Sequence, residues 1–256
     1  MTDNRADEVW LSKGEEKDRP DGQVPAEQEP RGELSRYDTL LEGVKGLRSK
    51  KGETEIMDSL KKLVEQAVDS LSENTISVML NLSRNFGKED FIYAHSLNVC
   101  LLSVMLGMRR GFDRRRLKDM ALLALTHAKK DIGVPENLLK WIESDKEMDE
   151  IIKLSDVYDT LTHPPAYRHK LTASDTLVSI MDAYGVFDPA LVKILMEELS
   201  FYPEGSKVEL STKQRGTVIR TNKGQPMMPV VEVDEGGQQM TIDLSKNLLI
   251  HITRSF

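Results

Sequence analysis

Apolar residues recur at helical spacing from about Leu34 to Leu199. One continuous stripe, with apolar residues three and four apart, consists of Ile56, Leu60, Leu63, Val64, Ala67, Val68 and Leu71. The segment HSLNVCLLSVMLGM, residues 95–108, is apolar on nearly all sides, as a central core helix should be. The segments RRRLKDMALLALTHA, MDEIIKLSDVYDTLT, LTASDTLVSIMDAYG and DPALVKILMEELSFY predict further helices. The pattern therefore predicts a bundle of six or seven helices over residues 36–200.

Residues typical of helix ends separate these segments. Thr172 or Ser174 is the predicted N-cap of one helix, and Gly185 marks its end. Asp188 and Pro189 predict the N-cap and first residue of the last helix.

The pattern changes after Tyr202 and Pro203. The segments SKVELS, GTVIRTN, MPVVEVD, QMTIDL and LLIHITR are short, rich in β-branched residues and alternating, with Gly or Asn in the turns between them. They predict five strands in a small, strongly bent, barrel-like β-rich subdomain over residues 201–256. The predicted fold is mainly α, with this subdomain at the C-terminal end.

Charge is unevenly distributed along the 256 residues. Residues 1–35 contain ten acids and five bases, which accounts for −5 of the net charge of −7. This acidic, apolar-poor leader is predicted to be disordered. The remaining chain is almost neutral, so we expect no binding to a nucleic acid polymer.

Hydrophobic residues make up 39% of the chain, as in a soluble globular protein. No apolar run approaches the roughly 20 residues that cross a bilayer, and the N-terminus lacks a secretory pattern. We therefore expect a cytoplasmic protein without a membrane span. The single cysteine, Cys100, excludes an internal disulfide and a cysteine-based zinc site.

Three residues that can bind metal fall on separate predicted helices: His95, His127 and Asp156. A helix bundle can gather one imidazole or carboxylate from each of several helices into a common metal site. Each residue also has a structural interpretation, as a hydrogen-bonded core histidine or as an aspartate that bonds a neighbouring backbone group. The spacing alone leaves both interpretations open.

Four segments resemble, in order, the motifs of HD-GYP domains, the metal-dependent cyclic-di-GMP phosphodiesterases of bacteria. They are YAHSLNVCLLSVMLG (93–107), LALTHAKKDIGVPENLL (123–139), LSDVYDTLTHPPAYR (154–168) and FDPALV (187–192). The resemblance extends from about Asp58 to Phe256 and implies an HD-type helical bundle. It also implies that His95, His127 and Asp156 match metal ligands, and that Tyr167 and Arg168 match the end of a phosphate-contacting run.

The departures from the family pattern fall on positions that bind metal or phosphate in the family. The family's turn reads His-Asp-Ile-Gly-Lys-Ile-Gly-Val-Pro, and a gapless alignment places Ala128 at its bridging Asp and Asp131 at its Lys. The second part of the turn, Ile-Gly-Val-Pro at residues 132–135, is retained. Only twenty residues, Glu136 to Ser155, separate Pro135 from Asp156. The family's His-rich insert and Gly-Tyr-Pro loop are therefore missing. The bridging carboxylate is also the expected hydrogen-bond acceptor behind an imidazole, and Asp131 could replace it only if the helix continued past His127.

These departures favour a catalytically inactive HD-GYP-like protein, a pseudoenzyme that acts as an interaction or regulatory module in bacterial cyclic-di-GMP-linked signalling. We expect a protein partner and no cofactor. The alternative is a diverged metal-dependent phosphohydrolase that uses one Fe, Mn or Zn ion. A third hypothesis is a sensor that binds cyclic-di-GMP without cleaving it, through Arg168 or the arginines at positions 109–116. The apolar segments Ile56–Leu71 and Thr75–Leu82 could form a homodimer interface or cover the core.

Overall fold

A computed structural model describes residues 36–80 (backbone only from residue 72), 90–128, 131–135, 137–163, 171–183, 185–199, 201–222 and 224–256. The residues Ser35–Phe256 form one compact unit, which includes both the helices and the sheet. The predicted acidic leader lies outside the described residues.

Seven α-helices make up most of the described chain up to residue 199. They are α1 (Arg36–Gly46), α2 (Glu53–Leu80), α3 (Phe91–Arg109), α4 (Arg114–Leu125), α5 (Lys146–Thr162), α6 (Ala173–Asp182) and α7 (Pro189–Leu199), with a 3₁₀ turn at Leu47–Ser49. The prediction of a mainly helical fold with six or seven helices is confirmed.

Helix α3 is the centre of the bundle. All its residues from Ala94 to Gly107 are buried, and it contacts α1, α2, α4, α5 and α7. Its length and composition alone would allow it to cross a membrane, but 83% of its apolar window is buried inside the protein. That burial is typical of a core helix, as the all-round apolar pattern predicted.

Helix α2 buries the whole of its predicted apolar stripe, from Ile56 to Leu71. The helix packs against α1, α3 and α4, so this stripe belongs to the core and leaves no free apolar face for a homodimer. The side chains of the second segment considered for a dimer, Thr75–Leu82, lie outside the described residues.

Helix ends follow the predicted capping residues. Thr172 is the N-cap of α6, and its hydroxyl accepts a hydrogen bond from the backbone N of Asp175 at 3.1 Å. Asp188 precedes α7 and accepts a hydrogen bond from the backbone N of Ala190. Gly185 lies in the loop beyond α6, in the left-handed conformation (φ +80°) that favours glycine.

The C-terminal part is a five-stranded antiparallel sheet. Its strands are β1 (Lys207–Leu210), β2 (Arg215–Arg220), β3 (Val230–Glu235), β4 (Gln238–Asp243) and β5 (Ile252–Ser255), in the order β4-β3-β2-β1-β5. All five predicted strands are therefore present. Strands β4 and β5 are the edges of the described sheet, so hydrogen bonds between these strands do not close it into a barrel.

Alternation along the strands explains the core of the sheet. Alternate residues of β1 and β3 face one apolar cluster, which consists of Val208, Leu210, Val218, Val231, Val233 and Leu244. A hydrogen bond of 2.7 Å between the hydroxyls of Ser174 in α6 and Ser255 in β5 connects the helical part to this sheet.

Candidate metal centre

Three elements bring together the three residues that the sequence singled out. His95 lies in the first turns of α3, His127 follows the end of α4, and Asp156 lies on α5. Their ligand atoms are all within 4.8 Å of one another. Within the part of the chain that the structure describes, this is the only such group of three His, Cys, Asp or Glu residues.

The turn after α4 directs His127 towards the other two residues. Helix α4 ends at Leu125, and the Thr126 hydroxyl donates a hydrogen bond to the carbonyl of Leu122 at 2.7 Å. The chain then leaves the helix axis through a turn at residues 126–128. As a result, Nε2 of His127 lies 3.0 Å from Nε2 of His95 and 3.8 Å from Oδ1 of Asp156.

The second ring nitrogen of each histidine is held by a hydrogen-bond acceptor. Nδ1 of His95 lies 2.8 Å from Oδ2 of Asp159, and Nδ1 of His127 lies 2.7 Å from the carbonyl oxygen of Ala124. Both partners can only accept, so each Nδ1 must carry the hydrogen. The same pattern fixes metal-binding histidines elsewhere, because it leaves Nε2 free to bind a cation.

Three acceptor atoms therefore face a common point: both Nε2 atoms and Oδ1 of Asp156, which lies 3.3 Å from Nε2 of His95. Two unprotonated nitrogens at 3.0 Å repel each other unless a cation separates them. Either a proton on one ring or a metal ion can meet this requirement. Two imidazoles and one carboxylate are a ligand set that suits Zn, Fe and Mn.

The pKa values of the two histidines follow from this arrangement. Burial alone would lower the pKa of His95, but its hydrogen bonds to Asp156 and Asp159 outweigh burial and raise it to about 9. Burial lowers the pKa of His127, and the neighbouring His95 lowers it further. In the metal-free protein at neutral pH, His95 is therefore protonated on both ring nitrogens, and the proton between the two rings is on its Nε2.

Asp159 is the buried hydrogen-bond acceptor behind the ring of His95. Its side chain is 1% exposed and accepts hydrogen bonds from His95, from Nδ2 of Asn98 at 2.8 Å and from Nδ1 of His163 at 3.0 Å. Burial alone would raise the pKa of this carboxyl, but the bonds to His163 and His95 lower it overall. The sequence did not assign Asp159 to the candidate site. Its position one turn after Asp156, in DVYD, was the available signal for a role at the centre.

The replaced positions of the turn do not supply ligands. Ala128 offers no ligand atom, and the side chain of Asp131 is exposed. Since α4 ends at Leu125, Asp131 does not support the imidazole of His127 in place of the missing carboxylate. Ala124 and Asp159 fill that role instead. The second part of the turn does pack, with Ile132 and Val134 buried.

One side of the centre is open. The side chains of His95, His127 and Asp156 are 10%, 20% and 42% exposed, so access is from the side of Asp156. A pocket of about 300 Å³ adjoins His127, lined by α4, α5 and the loop between them. The other two predicted site residues, Tyr167 and Arg168, lie outside the described residues.

The arginines at positions 109–116 are largely paired with carboxylates. The pairs are Arg109 with Glu198, Arg110 with Glu147, Arg114 with Glu65 and Asp69, and Arg116 with Asp145 and Glu147. Arg115 lies 3.9 Å from Asp119, and its side chain is 93% exposed. Because its charges are already balanced, this cluster is a poor phosphate-binding surface.

Comparisons of the chain with protein-family models, with curated proteins and with solved structures found no match.

Proposed function

We propose that the protein is a catalytically inactive, HD-GYP-like regulatory module of bacterial cyclic-di-GMP-linked signalling that keeps one divalent cation. His95, His127 and Asp156 would hold this ion. The four ordered motifs support the HD-type assignment of the helical bundle. The convergence of three acceptor atoms supports the retained cation.

The number of ligands is the observation that carries the proposal. The described residues contain one group of three ligands, and Ala128 stands where the resembled family has the carboxylate that bridges two ions. Three protein ligands suffice for one ion. A second ion would have no carboxylate to bridge it, and hydrolysis by the family's two-metal route requires both ions.

The surface of the sheet supports a protein partner. Leu248 and Leu249, in the loop between β4 and β5, are 77% and 94% exposed. A protein partner that packed on this loop would bury both leucines. The paired arginine cluster gives less support to cyclic-di-GMP as a directly bound ligand.

The test is a hydrolysis assay with cyclic-di-GMP on protein saturated with Mn²⁺ or Fe²⁺, read by chromatography of the linear dinucleotide and GMP. We expect no turnover, while an active HD-GYP enzyme assayed in parallel cleaves the substrate. Turnover by this protein that is lost in His127→Ala and retained in His251→Ala would overturn the proposal. His251 is a suitable control because it is exposed, directly precedes β5 and does not belong to the group of ligand atoms.

A second candidate is a phosphohydrolase that works with a single ion. The open side at Asp156 favours this function, because a small phosphoester could approach the centre there. The ion would act as a Lewis acid towards a phosphoryl oxygen. In this candidate Arg168 would bind the phosphate.

The same two variants separate the candidates with a simple substrate, bis(p-nitrophenyl) phosphate. Metal-dependent release of nitrophenol that disappears in His127→Ala, but persists in His251→Ala, supports the phosphohydrolase. Equal background rates in wild type and both variants leave the regulatory module as the better explanation.

A further inference from the structure

A continuous path of buried hydrogen bonds runs from the metal centre to α1. Oδ2 of Asp159 accepts from Nδ1 of His95 at 2.8 Å, and its Oδ1 accepts from Nδ2 of Asn98 at 2.8 Å. Oδ1 of Asn98 in turn accepts from the hydroxyl of Tyr37 at 2.7 Å. Tyr37, Asn98 and Asp159 are each 1% exposed, so water does not compete for these bonds.

The path allows only one orientation of the Asn98 amide. Its Nδ2 must face the Asp159 carboxylate, which only accepts, and its Oδ1 must then face the donating hydroxyl of Tyr37. A flipped amide would place two acceptors, Oδ1 and the carboxylate, against each other. The carboxylate therefore sets the orientation of the amide. The Tyr37 hydroxyl donates to Oδ1 and restrains the amide, and through it the carboxylate that orients the ring of His95.

The positions of these residues connect two elements. Asn98 lies three residues after His95 on α3, which places both side chains on one face of that helix. Tyr37 lies in the first turn of α1, and α1 packs on α2 and α3. Neither Tyr37 nor Asn98 belongs to the group of ligand atoms, so both act on the centre only through Asp159.

We propose that Tyr37 and Asn98 are positioning residues for His95, and that the docking of α1 on the bundle sets the affinity of the metal centre. This inference rests on the proposed cation site. By thermodynamic linkage, cation binding must stabilise the docked state of α1 to the same extent.

The first experiment compares Tyr37→Phe with Tyr158→Phe in the full chain, with Co²⁺ and Zn²⁺ as probes. Both variants remove one hydroxyl from a buried tyrosine, but only Tyr37 belongs to the path of hydrogen bonds that leads to His95. We expect Tyr37→Phe to weaken binding about tenfold, as is typical when support behind a metal ligand is lost. We also expect its Co²⁺ absorption spectrum to change, since the His95 ring is no longer held in one orientation. Tyr158→Phe should keep both the affinity and the spectrum of wild type.

The second experiment needs no variant. Amide hydrogen exchange of wild type is followed with and without saturating Zn²⁺, and α1 (Arg36–Gly46) is compared with strands β1 to β4. We expect Zn²⁺ to slow exchange in α1 by a larger factor than in the strands. Equal factors in α1 and the strands would count against the coupling, even if Tyr37→Phe failed to fold.

The outcomes separate this inference from the proposed function. If wild type takes up neither Co²⁺ nor Zn²⁺, the cation site itself is refuted, and the positioning role with it. If wild type binds and Tyr37→Phe binds equally well with an unchanged spectrum, only the positioning role is refuted. A change in thermal stability alone, with an unchanged spectrum, also refutes it, because a merely structural role would produce that result.

Discussion

Hydrogen-bond acceptors behind the two imidazoles orient the proposed metal centre. Asp159 and the carbonyl of Ala124 force the hydrogen of each ring onto Nδ1. Each Nε2 is then the ring nitrogen that faces Asp156, and the arrangement is completed by the proton of His95 in the metal-free protein or by a cation in its place. Hydrogen-bond geometry thus determines which nitrogen of each ring can bind a cation. Ala128 offers no ligand atom for a second ion.

Asp159→Asn should weaken metal binding by about 10- to 100-fold, the usual range for loss of such a partner. The Asp159 carboxylate accepts hydrogen bonds from three donors. An asparagine would offer them one acceptor oxygen and one donating NH2 group, so the ring of His95 would lose its fixed position. Zn²⁺ affinity measured by chelator competition tests this expectation. Asp131→Asn makes the same chemical change at an exposed site and should alter the affinity less than twofold. Equal affinities in the two variants would contradict the role of Asp159.

The sequence singled out the three residues that the structure brings together, but it missed the groups that orient them. His95, His127 and Asp156 were found because they match a motif pattern as residue types. The role of Asp159 depends on the rotation of α5 about its axis, and that of Ala124 depends on the helix ending at Leu125. The contact between Tyr37 and Asn98 joins residues 61 positions apart, which no local pattern reveals.

At the scale of elements, the apolar pattern predicted the helices and strands well. The stripe of α2 and the all-round apolar α3 are both buried as expected, because burial of apolar surface dominates the choice of face. Closure of the sheet was less predictable, since strand order and twist depend on contacts between distant residues. The described sheet is open at β4 and β5.

Gly216 shows how closely two strands of this sheet approach. A Cβ at this position would lie 2.5 Å from the backbone carbonyl oxygen of Glu232 and 2.6 Å from a methyl group of Val231. We expect Gly216→Ala to destabilise the protein by about 1–3 kcal/mol, the usual cost of overpacking. The free energy of unfolding in urea measures this effect.

Gly46→Ala is the matched control, because a Cβ there meets no atom within 4 Å and the backbone is helical. Its free energy of unfolding should equal that of wild type or exceed it by up to about 1 kcal/mol, because alanine fits the helical backbone and restricts the unfolded chain. If the two variants were equally stable, the close approach of β2 and β3 at Gly216 would be in doubt.

At the scale of the whole molecule, the proton on His95 makes the stability of the metal-free protein depend on pH. The pKa of this group is about 9 in the folded state and 6.5 in its ordinary state. Its contribution is therefore complete below pH 6.5 and is lost as the pH rises through 9, with a slope of at most about 1.4 kcal/mol per pH unit. His127 has the opposite effect on stability. Its pKa is lowered in the folded state, so its contribution to stability is lost as the pH falls below 6.5.

Urea unfolding at pH 6.5, 7.5 and 8.5 in the presence of a chelator should show this decline. Saturation with Zn²⁺ should remove it, since the ion then takes the place of the proton between the two rings. Identical pH dependence with and without metal would show that the proton and the ion do not compete for one position.

Metal content per chain tests the central claim most directly. Native mass spectrometry of protein loaded with Zn²⁺, Mn²⁺ or Fe²⁺ and then desalted should show one ion in wild type and in His251→Ala, and none in His127→Ala. Two ions per chain would reveal a dinuclear site that the described residues do not account for. No ion in wild type would show that the three acceptor atoms enclose only a proton, and the proposed metal centre would be wrong.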